Sequence, residues 1–126
     1  MGLSELIEGV EIPFLDRRPT RQLFRKVGTR AAQAISKTVA AGLLWLNKDG
    51  TVEELRFAFG SVAPTVKRLK ASEEFLKGKR LTADAVEQAC GLLERDISPI
   101  DDIRSTRDYR LTVSRNLLRA FLEGKI

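Results

Sequence analysis

Residues 36–59 read SKTVAAGLLWLNKDGTVEELRFAF, and their pattern is that of a β-hairpin. Residues 36–46 are mostly β-branched or apolar, and residues 52–59 alternate apolar with charged side chains. The turn is predicted at residues 47–50, because Gly50 tolerates the positive φ that tight hairpin turns require. The sequence therefore predicts two long antiparallel strands in the middle of the chain.

Each strand of this hairpin is expected to present an apolar face, because successive side chains of a strand point to opposite sides of the sheet. In the second strand, Leu55, Phe57 and Phe59 share one face, whereas Glu54 and Arg56 share the other. In the first strand, the expected apolar face consists of Val39, Ala41, Leu43 and Trp45. Both apolar faces need a covering layer.

Two segments after the hairpin have the periodicity of amphipathic helices. The first is predicted over residues 66–76, ends before Gly78 and has a seam made of Val66, Leu69, Glu73 and Leu76. The second begins after Thr82, a good N-cap residue, and its apolar face consists of Val86, Ala89, Cys90 and Leu93.

A third helix is predicted from Ser105, whose spacing to Asp108 is that of a capping box. Its apolar stripe consists of Val113, Leu117, Leu118, Ala120, Phe121 and Leu122. Before the hairpin, residues 21–27 have the pattern of a strand, with Leu23 and Arg25 on the face opposite Phe24. Residues 30–35 have room for one or two helical turns.

These elements predict an α+β fold. The expected architecture is a two-layer sandwich, in which a three- or four-stranded antiparallel sheet is covered on one face by three helices. Residues 1–19, which include Pro13 and Pro19, are interpreted as an extended lead-in, and residues 20–126 as the domain itself.

The composition argues against several kinds of active site. The chain has 126 residues, no histidine and a single cysteine, so histidine-based catalysis, histidine zinc sites and internal disulfides are excluded within it. No apolar run is long enough to cross a bilayer and no secretory signal begins the chain, which predicts a cytoplasmic protein. We expect no catalytic residue and no metal ligand in this chain.

Two motifs have a structural as well as a functional interpretation. The turn at residues 60–65 could bind phosphate, but it lacks the spacing of a nucleotide-binding loop, and a tight strand-to-helix turn is favoured. Asp96, Asp101 and Asp102 lack the alternating ligands of a calcium loop, and nearby arginines predict a salt-bridged loop instead.

Three segments, taken in order, resemble one known family. They are FRKVGTR at residues 24–30 with AQAISK at 32–37, LRFAFGSVAPT at 55–65, and PIDDIRSTRDYR at 99–110. Together they resemble the C-terminal domain of the FAD-binding subunit of molybdenum hydroxylases, the group that includes xanthine dehydrogenase and carbon monoxide dehydrogenase. The resemblance extends from about residue 20 to residue 123.

The resemblance implies an accessory role in electron transfer. In that family, electrons leave a molybdopterin site, pass through two iron–sulfur clusters and reach FAD, which delivers them to NAD or another acceptor. Glycine-rich loops of preceding domains hold the flavin pyrophosphate, and residues 1–30 resemble none of these loops. The implied partners are therefore a flavin-binding N-terminal domain, an iron–sulfur subunit and a molybdopterin subunit, and a homodimer is compatible with this assembly.

The same resemblance implies three cofactor-binding residues. Lys26 matches the family lysine that reaches the flavin, where a fixed ammonium would stabilise added negative charge on the isoalloxazine. Arg30 and Gln33 match a loop near the flavin and the acceptor. The alternative for Lys26 is an ordinary solvated lysine at a strand edge.

Two other classes of function remain open from the sequence. The net charge of +5 is compatible with a nucleic-acid-binding module, although the basic clusters lie beside carboxylates and lack interleaved aromatic residues. A stand-alone dimerisation domain is the other alternative. Salt-dependent binding to polyanions would identify the first alternative, and the mass in solution would identify the second.

Overall fold

A four-stranded antiparallel sheet forms one layer of the computed structural model, which describes residues 4–30 and 33–126. Its strands lie side by side in chain order, β1-β2-β3-β4. They are β1 (Arg21–Val27), β2 (Thr38–Leu46), β3 (Val52–Gly60) and β4 (Lys67–Arg68). The predicted hairpin is β2 and β3, and Gly50 in its turn has a φ of 84°.

Helices form the second layer. They are α1 (Lys70–Leu76), α2 (Ala83–Gly91), the single-turn α3 (Leu93–Asp96) and α4 (Arg107–Leu122). The predicted α+β fold is confirmed, with the fourth strand present and α3 added to the three expected helices. The predicted N-cap of α2 is also correct, because the Thr82 hydroxyl accepts a hydrogen bond from the Ala85 amide at 3.2 Å.

The core lies between the helices and one face of the sheet. From β3 it takes Leu55, Phe57 and Phe59, as predicted, and all three side chains are at most 4% exposed. The helices contribute their buried stripes, including Leu76, Ala89, Cys90, Leu118 and Phe121.

The face of β2 that enters the core was predicted wrongly. Ala40, Gly42 and Leu44 face the helices, because they pair with Phe59, Phe57 and Leu55 respectively. The expected set, Val39, Ala41, Leu43 and Trp45, therefore lies on the opposite face of the sheet.

Gly42 explains this choice of face. A Cβ atom at this position would lie 2.6 Å from Cδ2 of Phe57 and 3.3 Å from Cε1 of Phe121. The Phe57 ring thus occupies the space in which any other residue would place its side chain. Both alternating sets of side chains in β2 are largely apolar, so hydrophobicity alone does not decide which set faces the core. Gly42 decides it, because this position leaves room for the Phe57 ring.

Two helix starts also differ from the predictions. Helix α1 begins at Lys70, not at residue 66, because Lys67 and Arg68 pair with β3 as β4, and Val66 is 70% exposed. Helix α4 is capped by Thr106, whose hydroxyl accepts the Tyr109 amide at 3.2 Å, and not by Ser105. Thr106 can cap because its backbone is extended, with ψ at 154°.

The segments around β1 complete the comparison. Of the helical turns predicted over residues 30–35, Ala31 and Ala32 lie outside the described residues, and Gln33, Ala34 and Ile35 are not helical. Residues 5–15 of the predicted lead-in contain no helix or strand. Thr20 joins the lead-in to the sheet, since its amide donates to the Leu44 carbonyl at 2.7 Å.

We expect Gly42→Ala to lower the free energy of unfolding by about 2 kcal/mol, because the new methyl group must displace the buried Phe57 ring. Gly91→Ala is the matched control, since a Cβ at this helical glycine would have no atom within 4 Å apart from its chain neighbours and the backbone of its own helix. Chemical denaturation of the three proteins measures the effect. Equal unfolding midpoints for Gly42→Ala and the parent would contradict the packing described here.

Candidate functional site

The loop between β1 and β2 carries two of the three sequence-predicted site residues. It leaves the sheet at Gly28 and returns at Lys37, whose amide donates to the Val27 carbonyl at 2.8 Å. Gly28 is tightly packed, because a Cβ there would lie 2.9 Å from Cβ of Ala34. The loop is therefore closed at its base by backbone hydrogen bonding and close packing.

Arg30 and Gln33 contact each other within this loop. Gln33 has a φ of 50°, in the left-handed region that non-glycine residues rarely adopt. The Arg30 guanidinium donates to the Gln33 carbonyl from Nη2 at 2.7 Å and from Nε at 3.3 Å. Arg30 thus holds the backbone of Gln33 in its strained conformation.

A groove of about 420 Å³ runs beside the loop. Arg30, Lys37 and Arg104 are among the residues that line it, so three cationic side chains border one opening. Lys37 lies over the Tyr109 ring, with its Nζ 4.7 Å from the ring centroid. The groove is suited by charge to an anionic or strongly polar group.

Lys26 lies on β1, opposite Val39 of β2, and its side chain is exposed. The register places it on the sheet face that the helices do not cover, and it does not line the groove next to Arg30 and Gln33. Among residues 4–30 and 33–126, no ion pair involves the Lys26 ammonium. Its charge is therefore uncompensated within the described part of the chain.

A buried arginine holds the turn after β3. Arg110 is 6% exposed, and its Nη1 donates to the Ser61 carbonyl at 2.7 Å. Its Nη2 bonds both carboxylate oxygens of Asp102, at 2.8 and 2.7 Å. Ser61 has a φ of 65°, so both described non-glycine residues with positive φ, Gln33 and Ser61, have their carbonyls bound by an arginine.

The Asp102 carboxylate is itself fixed by the backbone. It accepts the amides of Arg104 at 2.8 Å and Ser105 at 3.0 Å. The hydrogen bond from the Arg104 amide has the largest effect and lowers the pKa of Asp102. The Ser105 amide and Arg110 lower this pKa further, whereas burial raises it. The predicted salt-bridged loop is thus present between residues 101 and 110.

The clamp of Arg110, Asp102 and Ser61 lines a second groove of about 420 Å³. Ile35 and Arg104 line both grooves, so the resemblance-bearing segments at 24–37, 55–65 and 99–110 converge on one region of the surface. Sequence reasoning missed Lys37 and Arg104 as neighbours of Arg30. Arg104 belongs to the quoted motif at 99–110, but no sequence signal places that motif beside residues 29–37.

The described residues offer little for catalysis at this region. Burial raises the pKa of the Cys90 thiol to about 11, and this side chain packs in the core. Residues 4–30 and 33–126 contain no cluster of three potential metal-ligating side chains. Over the same residues, no helix is sufficiently long and apolar to span a membrane.

Fold and site together define an α+β domain with a rigidly held, cation-bordered surface and no recognisable catalytic constellation among the described residues. Residues 23–124 match the family described as the CO dehydrogenase flavoprotein C-terminal domain. The chain belongs to this family, the C-terminal domain of the FAD-binding subunit of molybdenum hydroxylases, and the resemblance seen in the sequence is confirmed.

The curated relatives are oxidoreductase chains. The chain is 30% identical over 121 residues to the glyceraldehyde dehydrogenase medium chain of Sulfolobus acidocaldarius, covering 95% of this chain and 42% of the relative. It is 28% identical over 103 residues to the carbon monoxide dehydrogenase medium chain of Hydrogenophaga pseudoflava, covering 82% and 34% respectively. The chain therefore spans less than half of either relative.

Solved structures agree with the fold. A carbon monoxide dehydrogenase from Hydrogenophaga pseudoflava, in a form lacking the Mo-pyranopterin moiety, superposes with a TM-score of 0.71 at 27% identity. The match covers 81% of this chain and 35% of that chain. Quinoline 2-oxidoreductase from Pseudomonas putida 86 has the same fold, with a TM-score of 0.70 at 22% identity.

We expect Asp102→Asn to lower the melting temperature at pH 7 by about 5 °C or more, because it leaves the buried Arg110 cation without its counter-charge. The native pKa of Asp102 is lowered, so its stabilising effect is full above the unfolded value of about 4 and is lost as the pH falls through the native value. The variant should therefore lose less stability than the parent between neutral and acid pH.

Asp16→Asn is the control, since this carboxylate lies exposed in the lead-in and has no ion pair among the described residues. Thermal melts at neutral and acid pH compare the three proteins. If both variants melt like the parent at pH 7, the clamp does not stabilise the domain.

Proposed function

We propose that this domain packs on FAD and on partner subunits of a molybdenum hydroxylase during electron transfer. The reaction would carry electrons from iron–sulfur clusters through FAD to an acceptor such as NAD, and this chain would not catalyse it alone. The observation that carries the proposal is the position of Lys26: an exposed, uncompensated ammonium at the end of β1, next to a loop held in a strained conformation.

The residues present suit a contact with one part of a bound flavin. The chemistry that FAD supplies when bound is the acceptance and release of electrons. The Lys26 ammonium can stabilise negative charge that develops near it, because no carboxylate of the described residues neutralises it. The exposed Gln33 side chain offers an amide donor and acceptor, which suits polar ring edges.

For Arg30 we propose a role other than the direct flavin contact that the resemblance implies. Its Nε and Nη2 atoms are already bonded to the Gln33 carbonyl. We infer that Arg30 is a positioning residue that fixes the conformation of Gln33, while Lys26 and Gln33 make the contacts. The implied partners, a flavin-binding domain, an iron–sulfur subunit and a molybdopterin subunit, follow from the family of the relatives.

A nucleic-acid-binding function has less support. Much of the basic surface is already paired: Arg17 with Glu53, Arg56 with Glu54, and Arg68 with Glu73. On the helical side, Arg119 pairs with Glu87. Cations that are neutralised locally contribute little to the counterion release that drives binding to polyanions.

The isolated chain is expected not to retain FAD through purification. Lys26 and Gln33 are too few to hold a dinucleotide, and the sequence contains no glycine-rich loop to cradle its pyrophosphate. The visible absorbance of the purified chain, measured after incubation with FAD and gel filtration, checks this. Stoichiometric FAD would show that the chain binds the cofactor without further domains.

Lys26→Met tests the proposed flavin contact. The assembly is a chimera in which this chain replaces the matching region of the carbon monoxide dehydrogenase medium chain from Hydrogenophaga pseudoflava. Deleting the ammonium while keeping the side-chain bulk should lower the flavin reduction potential by about 30 mV, because the added negative charge loses a stabilising cation. Spectroscopic redox titration measures the potential.

Lys48→Met is the matched control, since it removes the same charge from the exposed hairpin turn at the opposite end of β2. Equal potentials for both variants, with FAD fully bound, would mean that Lys26 is an ordinary surface lysine. A shift confined to Lys26→Met supports the proposed contact.

A further inference from the structure

Arg110 carries a buried donor that no described residue accepts. Its Nη1 and Nη2 atoms are bonded to Ser61 and Asp102, but its Nε atom makes no hydrogen bond within the described part of the chain. The side chain is only 7% exposed. A buried N–H group without an acceptor costs free energy, so the acceptor atom of a ligand would complete this arrangement.

Arg110 lines the groove of about 420 Å³ that the clamp borders, here called the clamp groove. The apolar residues that line it are Ile35, Val62, Ala63, Pro64 and Ile100. Small-molecule sites have volumes of about 300–1,000 Å³ and combine apolar walls with a few polar groups. The clamp groove has both properties of such a site.

The polar groups of the clamp groove are mainly hydrogen-bond donors. The amides of Val62 and Ala63, in the turn at residues 60–65, donate to no other described residue. The Asp102 carboxylate already accepts two bonds from backbone amides and two from Arg110 Nη2. A ligand of this groove must therefore carry acceptor atoms of its own.

The charge of the clamp groove favours an anion. Asp102 neutralises Arg110, whereas Arg104 makes no ion pair among residues 4–30 and 33–126. The Arg104 amide is fixed on Asp102 at 2.8 Å, while its side chain is exposed. With two cations and one anion among its lining residues, the groove has a net positive charge beside apolar walls.

We propose that the clamp groove binds a small organic anion with an apolar body, such as an aromatic monocarboxylate. Its carboxylate accepts from Arg110 Nε and faces Arg104, and its apolar body lies against Val62 and Ile100. An inorganic anion suits the groove less well, because it would leave the apolar walls in contact with water. The site is separate from the proposed flavin contact, since the residues assigned to that contact do not line it.

Benzoate is the probe, and NMR spectroscopy of the ¹⁵N-labelled chain measures its binding. The spectra report the backbone amides and the Nε–H groups of the arginines. We expect saturable shifts of the Arg110 Nε–H signal and of the Val62 and Ala63 amides, with a Kd of about 1 mM. The absence of saturable shifts up to about 20 mM benzoate would overturn the proposal. Binding that leaves the Arg110 Nε–H signal unmoved would overturn it too.

Two further probes separate the charge of the ligand from its apolar body. Benzyl alcohol keeps the ring and has no charge, and inorganic phosphate is an anion without an apolar body. Each should bind at least about tenfold more weakly than benzoate. If benzyl alcohol binds as tightly as benzoate, the groove recognises apolar surface alone. If phosphate does, it recognises charge alone, and either result contradicts the assigned ligand class.

Arg104→Gln tests the cation of the groove without touching the clamp, because Arg104 contacts Asp102 through its backbone amide. The Kd for benzoate should rise about fivefold or more. Arg18→Gln is the matched control, since Arg18 is exposed in the lead-in, has no ion pair among the described residues and does not line the groove. Equal Kd values for the two variants would mean that benzoate responds only to the overall charge, and the proposal fails.

Ile100→Ser tests the apolar wall. Ile100 is 66% exposed, so its replacement should leave the fold intact, as the unchanged signals of the remaining amides would show. The Kd for benzoate should rise about threefold, because the ring loses part of its apolar contact. Benzoate binding that neither Ile100→Ser nor Arg104→Gln weakens would lie outside the clamp groove and would overturn the proposal.

Discussion

The close approach of the Phe57 ring to the backbone of Gly42 is the constraint on which the rest of this domain depends. The ring lies against Phe59 and Phe121, with centroids 5.2 Å apart in each pair, so it joins the sheet to the last helix. Any side chain at position 42 would occupy the space of this ring. The packing of β2, β3 and α4 therefore depends on a single missing Cβ atom.

The same arrangement determines where β1 lies. Arg21 of β1 donates to the carbonyls of Phe121 and Leu122 at the end of α4, where the Phe121 carbonyl also accepts the Gly124 amide. Gly124, with a φ of 72°, leaves room for this guanidinium. The strand that carries Phe24 and Lys26 is thus attached to the helical layer, and its other face points away from the core.

Arginine side chains hold the loops in place, as aromatic packing holds the sheet and the helices together. Arg30 binds the carbonyl of Gln33, and Arg110 binds the carbonyl of Ser61, so each strained backbone position is held by charge-assisted hydrogen bonds. Such bonds fix the shape of a surface without supplying reactive groups. This combination agrees with the proposed role, in which the domain presents a fixed surface to a cofactor and to neighbouring domains.

The sequence by itself determined the local structure and, through its motifs, the family. Gly50 indicated the hairpin turn, Thr82 predicted the start of α2, and the alternation from Leu55 to Phe59 identified the core face of β3. Each of these signals could be read from the sequence because it depends only on near neighbours in the chain. Lys26, Arg30 and Gln33 were named as site residues through the family resemblance.

Only the tertiary structure decided which face of β2 is buried and which residues share a groove. Both alternating sets of β2 are largely apolar, so its orientation depends on the ring of Phe57 from the next strand, and a pattern within β2 cannot contain that information. Thr106, not Ser105, caps α4, because the Ser105 amide donates to the Asp102 carboxylate and Ser105 therefore belongs to the preceding turn. Likewise, Arg104 lies beside Arg30 only in the folded chain, where the contact of Lys37 with the Tyr109 ring joins segments separated by about seventy residues of sequence.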